Sequence, residues 1–242
     1  MAARKCLILV DYANIDWMKI DFFKFICTIC KTLNNSIEFL TFRLYGGWFY
    51  DENVSDQRLE AIRKVSQWPK LIRIENSIIR ISYLFADYLI GYENNEKASI
   101  RRTYIERKAK VSGIKIKSDN NLNICSNKNC SIRITRKWLS SLKACVSTNC
   151  QKRFNDIFIR YEQKQVDSHI LCDFLASIRD ESYSNILLMS SDVDLMPGIQ
   201  VAILSDFCKK IGLIITKRIS DDQTHYIECN NITLITNKNG EF

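Results

Sequence analysis

Apolar and polar positions follow one another in blocks that predict strands and helices in turn. Strands that alternate with helices form βαβ units, so the pattern predicts an α/β fold with a mainly parallel, doubly wound sheet. The stretch 75–119 interrupts the alternation and predicts no single element. The predicted strands are 5–11, 37–45, 71–74, 155–161, 186–189, 213–216 and 232–235, and the predicted helices are 15–33, 56–67, 166–178 and 197–210.

The same periodicity predicts which way individual side chains point. In the second helix Leu59, Ile62 and Val65 are predicted to face the core. Asp173, in the third helix, is predicted to lie on the outer or lateral face. Gly212 is predicted to end the last helix, because glycine commonly follows a helix C-terminus.

Length and composition indicate a folded protein with a core. The chain has 242 residues, 46% of them hydrophobic and 11% aromatic, which fits one large domain or one domain with a small insert. Only 7 Gly and 2 Pro argue against long flexible linkers. No apolar run reaches the roughly 18 residues of a membrane span, and the run before Asp11 is too short for a signal-peptide core. We therefore expect a cytoplasmic protein with no membrane partner.

Positive charge is concentrated in the middle of the chain. Residues 97–164 hold 17 Lys and Arg against 4 Asp and Glu, a net charge of +13, whereas the remainder carries −5. A polyanion such as nucleic acid is the natural partner of such a block, although a merely solvated surface is the alternative. The sequence leaves the oligomeric state open, a homo-oligomer included.

Two equally spaced cysteine pairs lie inside this basic block. Cys125 with Cys130, and Cys145 with Cys150, suit a structural zinc site of four thiolates, and unligated thiols or disulfides are the alternatives. The other six cysteines lie in apolar or amphipathic segments and are predicted to be buried small hydrophobes. They are Cys6, Cys27, Cys30, Cys172, Cys208 and Cys229.

Acidic residues stand where predicted strands stop and where a helix starts. Asp11 ends the first strand, Asp167 opens the third helix, and Asp192 and Asp194 follow the strand 186–189. Parallel strands with short connections bring such ends to one edge of the sheet. Carboxylates gathered there repel one another unless a cation lies between them, and Mg²⁺ or Mn²⁺ prefers such hard oxygen ligands. Helix capping is the structural alternative for Asp167, Asp192 and Asp194.

Three motifs, in order, resemble those of the NYN domain family, a branch of the PIN-like nucleases. The first is Asp11-Tyr12-Ala13-Asn14, which matches D-x-x-N after the first strand. The second is Lys164-Gln165-Val166-Asp167 with Asp173 six residues later, and the third is Ser190-Ser191-Asp192-Val193-Asp194-Leu195 with Pro197. The match covers roughly residues 5–75 and 155–217. Gln165 replaces the family's usual Gly, and Ser191 and Leu195 replace its Gly and Phe.

The resemblance implies a three-layer, PIN-like (Rossmannoid) α/β fold that hydrolyses phosphodiesters, most often in RNA, with Mg²⁺ or Mn²⁺. It implies that Asp11, Asp167 and Asp192 are metal ligands, and that Asp194 is a ligand or holds an outer-sphere water. Asn14 would orient Asp11. The only histidines, His169 and His225, share no catalytic constellation, so a Ser-His-Asp mechanism is not expected.

We therefore predict an NYN nuclease domain over 1–96 and 155–242, interrupted by a Cys-rich basic subdomain over 97–154. Trp138 is expected either to stack on a base or to belong to the core of the insert. A non-catalytic nucleic-acid-binding module and a DNA-directed phosphodiesterase are the competing functions. The residues expected to contact nucleic acid are Arg133, Arg136, Lys137, Trp138, Lys152 and Arg153.

Overall fold

The computed structural model of the chain describes residues 4–34, 37–75, 77–108, 115–116, 158–204, 210–216, 227 and 232–236. The chain divides into two compact units. One unit combines Met1–Thr103 with Lys164–Phe242, and the other is Tyr104–Gln163. Most of the predicted insert 97–154 lies outside the described residues, so its boundaries stay a prediction.

The first unit is an α/β structure built on a seven-stranded, mainly parallel sheet. Its strands are β1 (Lys5–Asp11), β2 (Phe39–Tyr45), β5 (Leu71–Ile74), β6 (Ser77–Phe85), β10 (Asn185–Met189), β11 (Lys210–Ile215) and β12 (Thr233–Thr236). They are arranged in the order β12-β11-β10-β1-β2-β6-β5, and only the pair β5–β6 is antiparallel. The helices are α1 (Phe22–Thr32), α2 (Asp56–Val65), α3 (Val166–Arg179) and α4 (Met196–Leu204).

Two cores cover the two faces of this sheet. Successive residues of a strand point to opposite faces. In β1, Ile8 and Val10 accordingly pack in the core that includes residues of α1 and α2. Leu7 and Leu9 pack in the core with residues of α3 and α4. The central strand is therefore buried on both sides, which explains its unbroken apolar run, and the arrangement is compatible with a three-layer α/β fold.

The described residues also include two small antiparallel sheets. The strands β3 (Phe49–Tyr50) and β4 (Asn53–Val54) form an antiparallel hairpin in the first unit. The second unit contains an antiparallel sheet of order β7-β9-β8, built from β7 (Tyr104–Lys108), β8 (Lys115–Ile116) and β9 (Phe158–Gln163). No helix in the described ranges combines the length and apolarity that a membrane crossing requires.

The first predicted helix starts too early. It was expected from Ile15, but α1 begins at Phe22, and residues 12–14 and 17–19 form 3-10 turns instead. The boundary has a local cause, since the carboxylate of Asp21 accepts the backbone N–H groups of Phe23 and Lys24 and so caps α1.

The predicted inward face of α2 is wrong for two of its three residues. Leu59 and Ile62 are 46% and 42% exposed, whereas Val65 is buried as predicted. Ala61 fills the core position. Arg58 lies one turn earlier, and its guanidinium covers the Phe49 ring 4.8 Å from the centroid while pairing with Asp87. A cationic residue that the pattern left out of the inward face therefore makes a cation–π contact with an aromatic ring.

Two of the cysteine predictions are confirmed and one is wrong. Cys6 and Cys30 are buried, Cys27 is partly buried, and Cys172 is exposed on α3. Cys172 directly precedes the buried Asp173, so the two occupy different sides of the helix. Cys208 and Cys229 lie outside the described residues.

Gly212 does not end a helix, because it lies inside β11 opposite Leu187 of β10. A Cβ atom at this position would lie 2.8 Å from the carbonyl oxygen of Thr233 and 2.8 Å from Leu187 Cδ2. The neighbouring strand β12 therefore approaches too closely for a side chain.

We expect Gly212→Ala to lower the free energy of unfolding by about 1–3 kcal/mol, because a backbone oxygen must move to make room. Gly198→Ala is the matched control. There the new Cβ would meet the tip of Leu171, and alanine also favours the helix α4. Chemical denaturation of both variants measures the difference, and equal stabilities would contradict the close packing of β11 against β12.

Candidate metal centre

The carboxyl ends of β1 and β10 meet at the point where the strand order reverses. Within the sheet, β2 lies next to β1 on one side, whereas β10, β11 and β12 follow one another on the other side of β1. In open parallel sheets such a reversal leaves a crevice beyond the strand ends, where ligands bind. Asp11 is the last residue of β1 and Asp192 follows β10 by three residues. Both acids therefore lie at this crevice.

Asp11 is buried, at 3% exposure, and its carboxylate is held by two donors. The side-chain amide of Asn14 and the hydroxyl of Ser190, at 3.3 Å, both donate to Oδ2. Asn14 belongs to the 3-10 turn that directly follows β1, so the D-x-x-N spacing brings the amide back to the acid. Ser190 is the residue directly after β10, the strand that pairs with β1.

Asp192 is positioned by its own loop. Its backbone N–H donates to Ser190 Oγ at 3.0 Å, and its Oδ1 accepts the N–H of Asp194 at 2.9 Å. Asp192 thus caps the 3-10 turn Val193–Leu195, which directly precedes α4, whereas the capping alternative concerned the helix from Pro197. Ser190 ties Asp11 and Asp192 together, because its hydroxyl donates to one and accepts from the other.

Asp167 belongs to a third segment, the first turn of α3. Gln165, just before the helix, has φ 64° and lies in the left-handed region. This is the position where the NYN motif has glycine, which adopts such a conformation without steric cost. A left-handed conformation at this position is therefore compatible with a glycine there.

The structure brings Asp11, Asp167 and Asp192 together. One ligand oxygen of each lies within 4.8 Å of those of the other two. Oxygens on opposite sides of one divalent cation are separated by about 4–5 Å, twice the usual metal–oxygen distance. Among the residues that the structure describes, no other three His, Cys, Asp or Glu side chains form such a group.

Crowding and burial perturb two of these acids. Burial raises the pKa of Asp11, the donors Asn14 and Ser190 oppose this, and Asp167 and Asp192 raise the pKa further. The pKa of Asp167 is raised by partial burial and then by the charges of Asp192 and Asp194. Among the described residues, no cationic side chain contributes to either shift.

The other residues predicted for the site either lie outside the cluster of three acids or fall outside the described residues. Asp194 is exposed and is not one of the three clustered acids, although its charge acts on Asp167. His169, on α3, has a buried Nδ1 with no hydrogen-bond partner in the described ranges, and burial lowers its pKa despite the charge of Asp173. The four paired cysteines, His225 and the six predicted nucleic-acid contacts lie outside the described residues.

Asp173 contradicts its predicted outward position. It is fully buried and binds Arg43 and Tyr45 of β2. The residues Arg43 and Tyr45 were missed by the sequence reasoning. A charged residue inside the apolar stretch 39–45 was the available signal, because a buried arginine requires a partner.

Comparison of the chain with models of known protein families, with curated proteins and with solved structures finds no match.

We expect Asp192→Asn to stabilise the metal-free protein by about 1 kcal/mol at pH 7. A carboxyl group whose pKa is raised by folding contributes to stability at pH values below 3.8, its ordinary pKa. This contribution is lost as the pH rises through the raised value. Asp192 is one cause of the raised pKa values of Asp11 and Asp167, so removing its charge relieves repulsion at neutral pH. The gain should vanish near pH 3, where the acids are protonated.

Thermal unfolding in EDTA at pH 7 and pH 3 measures this effect. Glu181→Gln is the control, since Glu181 is exposed and follows the opposite, C-terminal end of α3. An equal gain in both variants would mean that net charge, rather than crowding at the centre, is responsible.

Proposed function

We propose that this protein is a metal-dependent ribonuclease with a PIN-like fold of the NYN type. The observation that carries the proposal is the convergence of Asp11, Asp167 and Asp192 at the crevice between β1 and β10. Three carboxylates from three separate segments meet where this class of sheet binds its ligands. The order and spacing of the motifs around them support the same assignment.

The donor set fits Mg²⁺ or Mn²⁺. All three side chains offer hard oxygen ligands, and their separation suits one ion. Hydrogen bonds occupy Oδ2 of Asp11 and Oδ1 of Asp192, which leaves the other oxygen of each available as a ligand. Burial raises the pKa values of Asp11 and Asp167, and repulsion from neighbouring carboxylates raises them further; a bound cation would offset that repulsion.

A divalent cation supplies neutralisation of the phosphodiester charge and a water molecule of lowered pKa. The chain's own residues keep the ligands in place for that chemistry. Asn14 and Ser190 fix the orientation of Asp11, and the N–H of Asp194 fixes Asp192. The exposed Asp194 carboxylate, which acts electrostatically on Asp167, is suited to hold an outer-sphere water.

The charge distribution supports a polymeric substrate. The residues outside 97–164 carry a net charge of −5 and would repel a polyanion, whereas 97–164 carry +13. A single nucleotide needs no such extended positive region, but a nucleic-acid strand does. A structural zinc bound by Cys125, Cys130, Cys145 and Cys150 is part of the proposal for this basic region.

Two other functions predict different outcomes of the same assay. A non-catalytic nucleic-acid-binding module would bind RNA without cleaving it. A DNA-directed phosphodiesterase would cleave DNA in preference to RNA. The complete set of three clustered acids favours an enzyme, because a module that only binds RNA has no need to keep repelling carboxylates together.

We expect the purified protein to cleave labelled RNA with Mg²⁺ or Mn²⁺ and to be inactive in EDTA. Asp192→Asn should lower turnover at least about 100-fold, because an amide is a poor ligand for a hard cation. Glu181→Gln should retain wild-type turnover. Gel analysis of parallel RNA and DNA substrates distinguishes the three functions, and metal-independent cleavage, or full activity of Asp192→Asn, would refute the mechanism.

The basic region should supply most of the affinity for RNA. Each Lys or Arg that contacts a phosphate releases counterions, so affinity falls as salt rises. Replacing Arg133, Arg136 and Lys137 together by Gln should flatten this dependence by roughly one unit per lost contact, with little effect on turnover of bound substrate. Replacing the exposed Arg63, Lys64 and Lys70 together by Gln removes the same net charge and provides the control. Identical salt plots for wild type and the triple variant would place the RNA elsewhere.

A further inference from the structure

A buried polar network joins α3 to β2. Asp173, Arg43 and Tyr45 are 0%, 7% and 2% exposed. Arg43 Nε donates to Asp173 Oδ2 and to the Tyr45 hydroxyl, each at 2.9 Å, and the Tyr45 hydroxyl donates to the same Oδ2. The other carboxylate oxygen accepts the N–H of Ile90 at 2.7 Å. Asp173 is therefore bonded at both oxygens.

The strand register connects this network to the candidate metal centre. In the β1–β2 ladder, Tyr45 lies directly opposite Asp11, and Arg43 lies opposite Leu9. Asp173 and Asp167 belong to the same helix and are six residues, or about 9 Å, apart along its axis. The network thus connects α3, which carries Asp167, to β2. The strand β2 in turn pairs with β1, which carries Asp11.

Stability alone is a weak reason for such a network. Removing charged and hydroxyl groups from water has a large desolvation cost, and apolar side chains of similar size often stabilise a core as well or better. A fully bonded network does fix one geometry, because each donor and acceptor has a direction that apolar contacts lack. The arrangement suits a requirement for accurate placement.

We propose that Tyr45, Arg43 and Asp173 are positioning residues that set the approach of Asp167 to Asp11. The proposal rests on the proposed function, since it assigns the network to the same metal centre. Sliding or rotation of α3 over the sheet would separate Asp167 from Asp11 and Asp192. The bonds from Asp173 to β2 and to Ile90 oppose that motion.

Tyr45→Phe is the most informative variant, because it removes one hydroxyl and leaves the Arg43–Asp173 ion pair in place. Tyr83→Phe is its matched control. Tyr83 lies on β6 and packs against the core on the other face of the sheet, and its hydroxyl donates to the carbonyl oxygen of Pro69 at 2.8 Å. Both changes remove a tyrosine hydroxyl that makes a hydrogen bond. Asp173→Asn is the stronger perturbation of the network.

Three measurements test the proposal. Electron paramagnetic resonance gives the Mn²⁺ dissociation constant, steady-state kinetics separate kcat from KM for RNA, and amide hydrogen exchange in EDTA reports the order of α3 directly. We expect Tyr45→Phe to weaken Mn²⁺ binding about 10- to 100-fold, the usual effect of losing a group that orients a ligand. It should lower kcat with KM unchanged and speed exchange in α3. Tyr83→Phe should lower the melting temperature without these changes.

Unchanged Mn²⁺ affinity and α3 exchange in Tyr45→Phe, or equal changes in Tyr83→Phe, would overturn the positioning role. Failure of the proposed function has a different signature. The wild-type protein would then bind no Mn²⁺, or would bind Mn²⁺ as tightly as Asp192→Asn does. In that case the hydrogen exchange of α3, measured without metal, still decides whether Tyr45 and Asp173 hold the helix in place.

Discussion

The parallel pairing of β1 with both β2 and β10 is the constraint on which the rest of the first unit depends. It places β1 at the reversal of strand order, so that the chain leaves it on one side and returns on the other. It also buries β1 on both faces, which requires a helical layer on each. The ends of β1 and β10 then lie side by side, and the polar residues that follow each strand share one crevice. Asp11, Ser190 and Asp192 meet for this reason.

The proximity of Asp11, Asp167 and Asp192 causes electrostatic repulsion when no cation lies between them. Asp11 and Asp167 have raised pKa values because burial and neighbouring carboxylates disfavour their ionised forms. The structure offsets part of the cost with neutral donors, since Asn14 and Ser190 both bond Asp11. Neither donor supplies a positive charge. In the described residues this cluster is therefore held by hydrogen bonds without a cationic side chain, as the proposed cation site requires.

The buried network of Asp173, Arg43 and Tyr45 handles charge differently. Here the carboxylate has its own guanidinium partner at 2.9 Å, so its charge is compensated within the protein. The two acids of α3 consequently differ in role, although they belong to one helix and one motif. Asp167 faces the crevice without a cationic partner in its cluster, whereas Asp173 is bonded into the core. The contrast separates a candidate ligand from a residue to which we assign the positioning of α3.

The sequence by itself determined the alternation of strands and helices, the apolar run of β1 and the placement of Asp11, Asp167 and Asp192 at element ends. These features depend on the local periodicity of side chains and on helix caps, and both involve only residues that are close together in the sequence. Only the tertiary structure decided that α2 turns Leu59 and Ile62 outward, that Gly212 lies within a strand, and that Asp173 is buried. Each of these features involves a partner distant in sequence: Arg58 packs on Phe85, Thr233 approaches Gly212, and Arg43 lies 130 positions from Asp173. Spacing along the chain carries no record of such partners, because they become neighbours only when the sheet has formed.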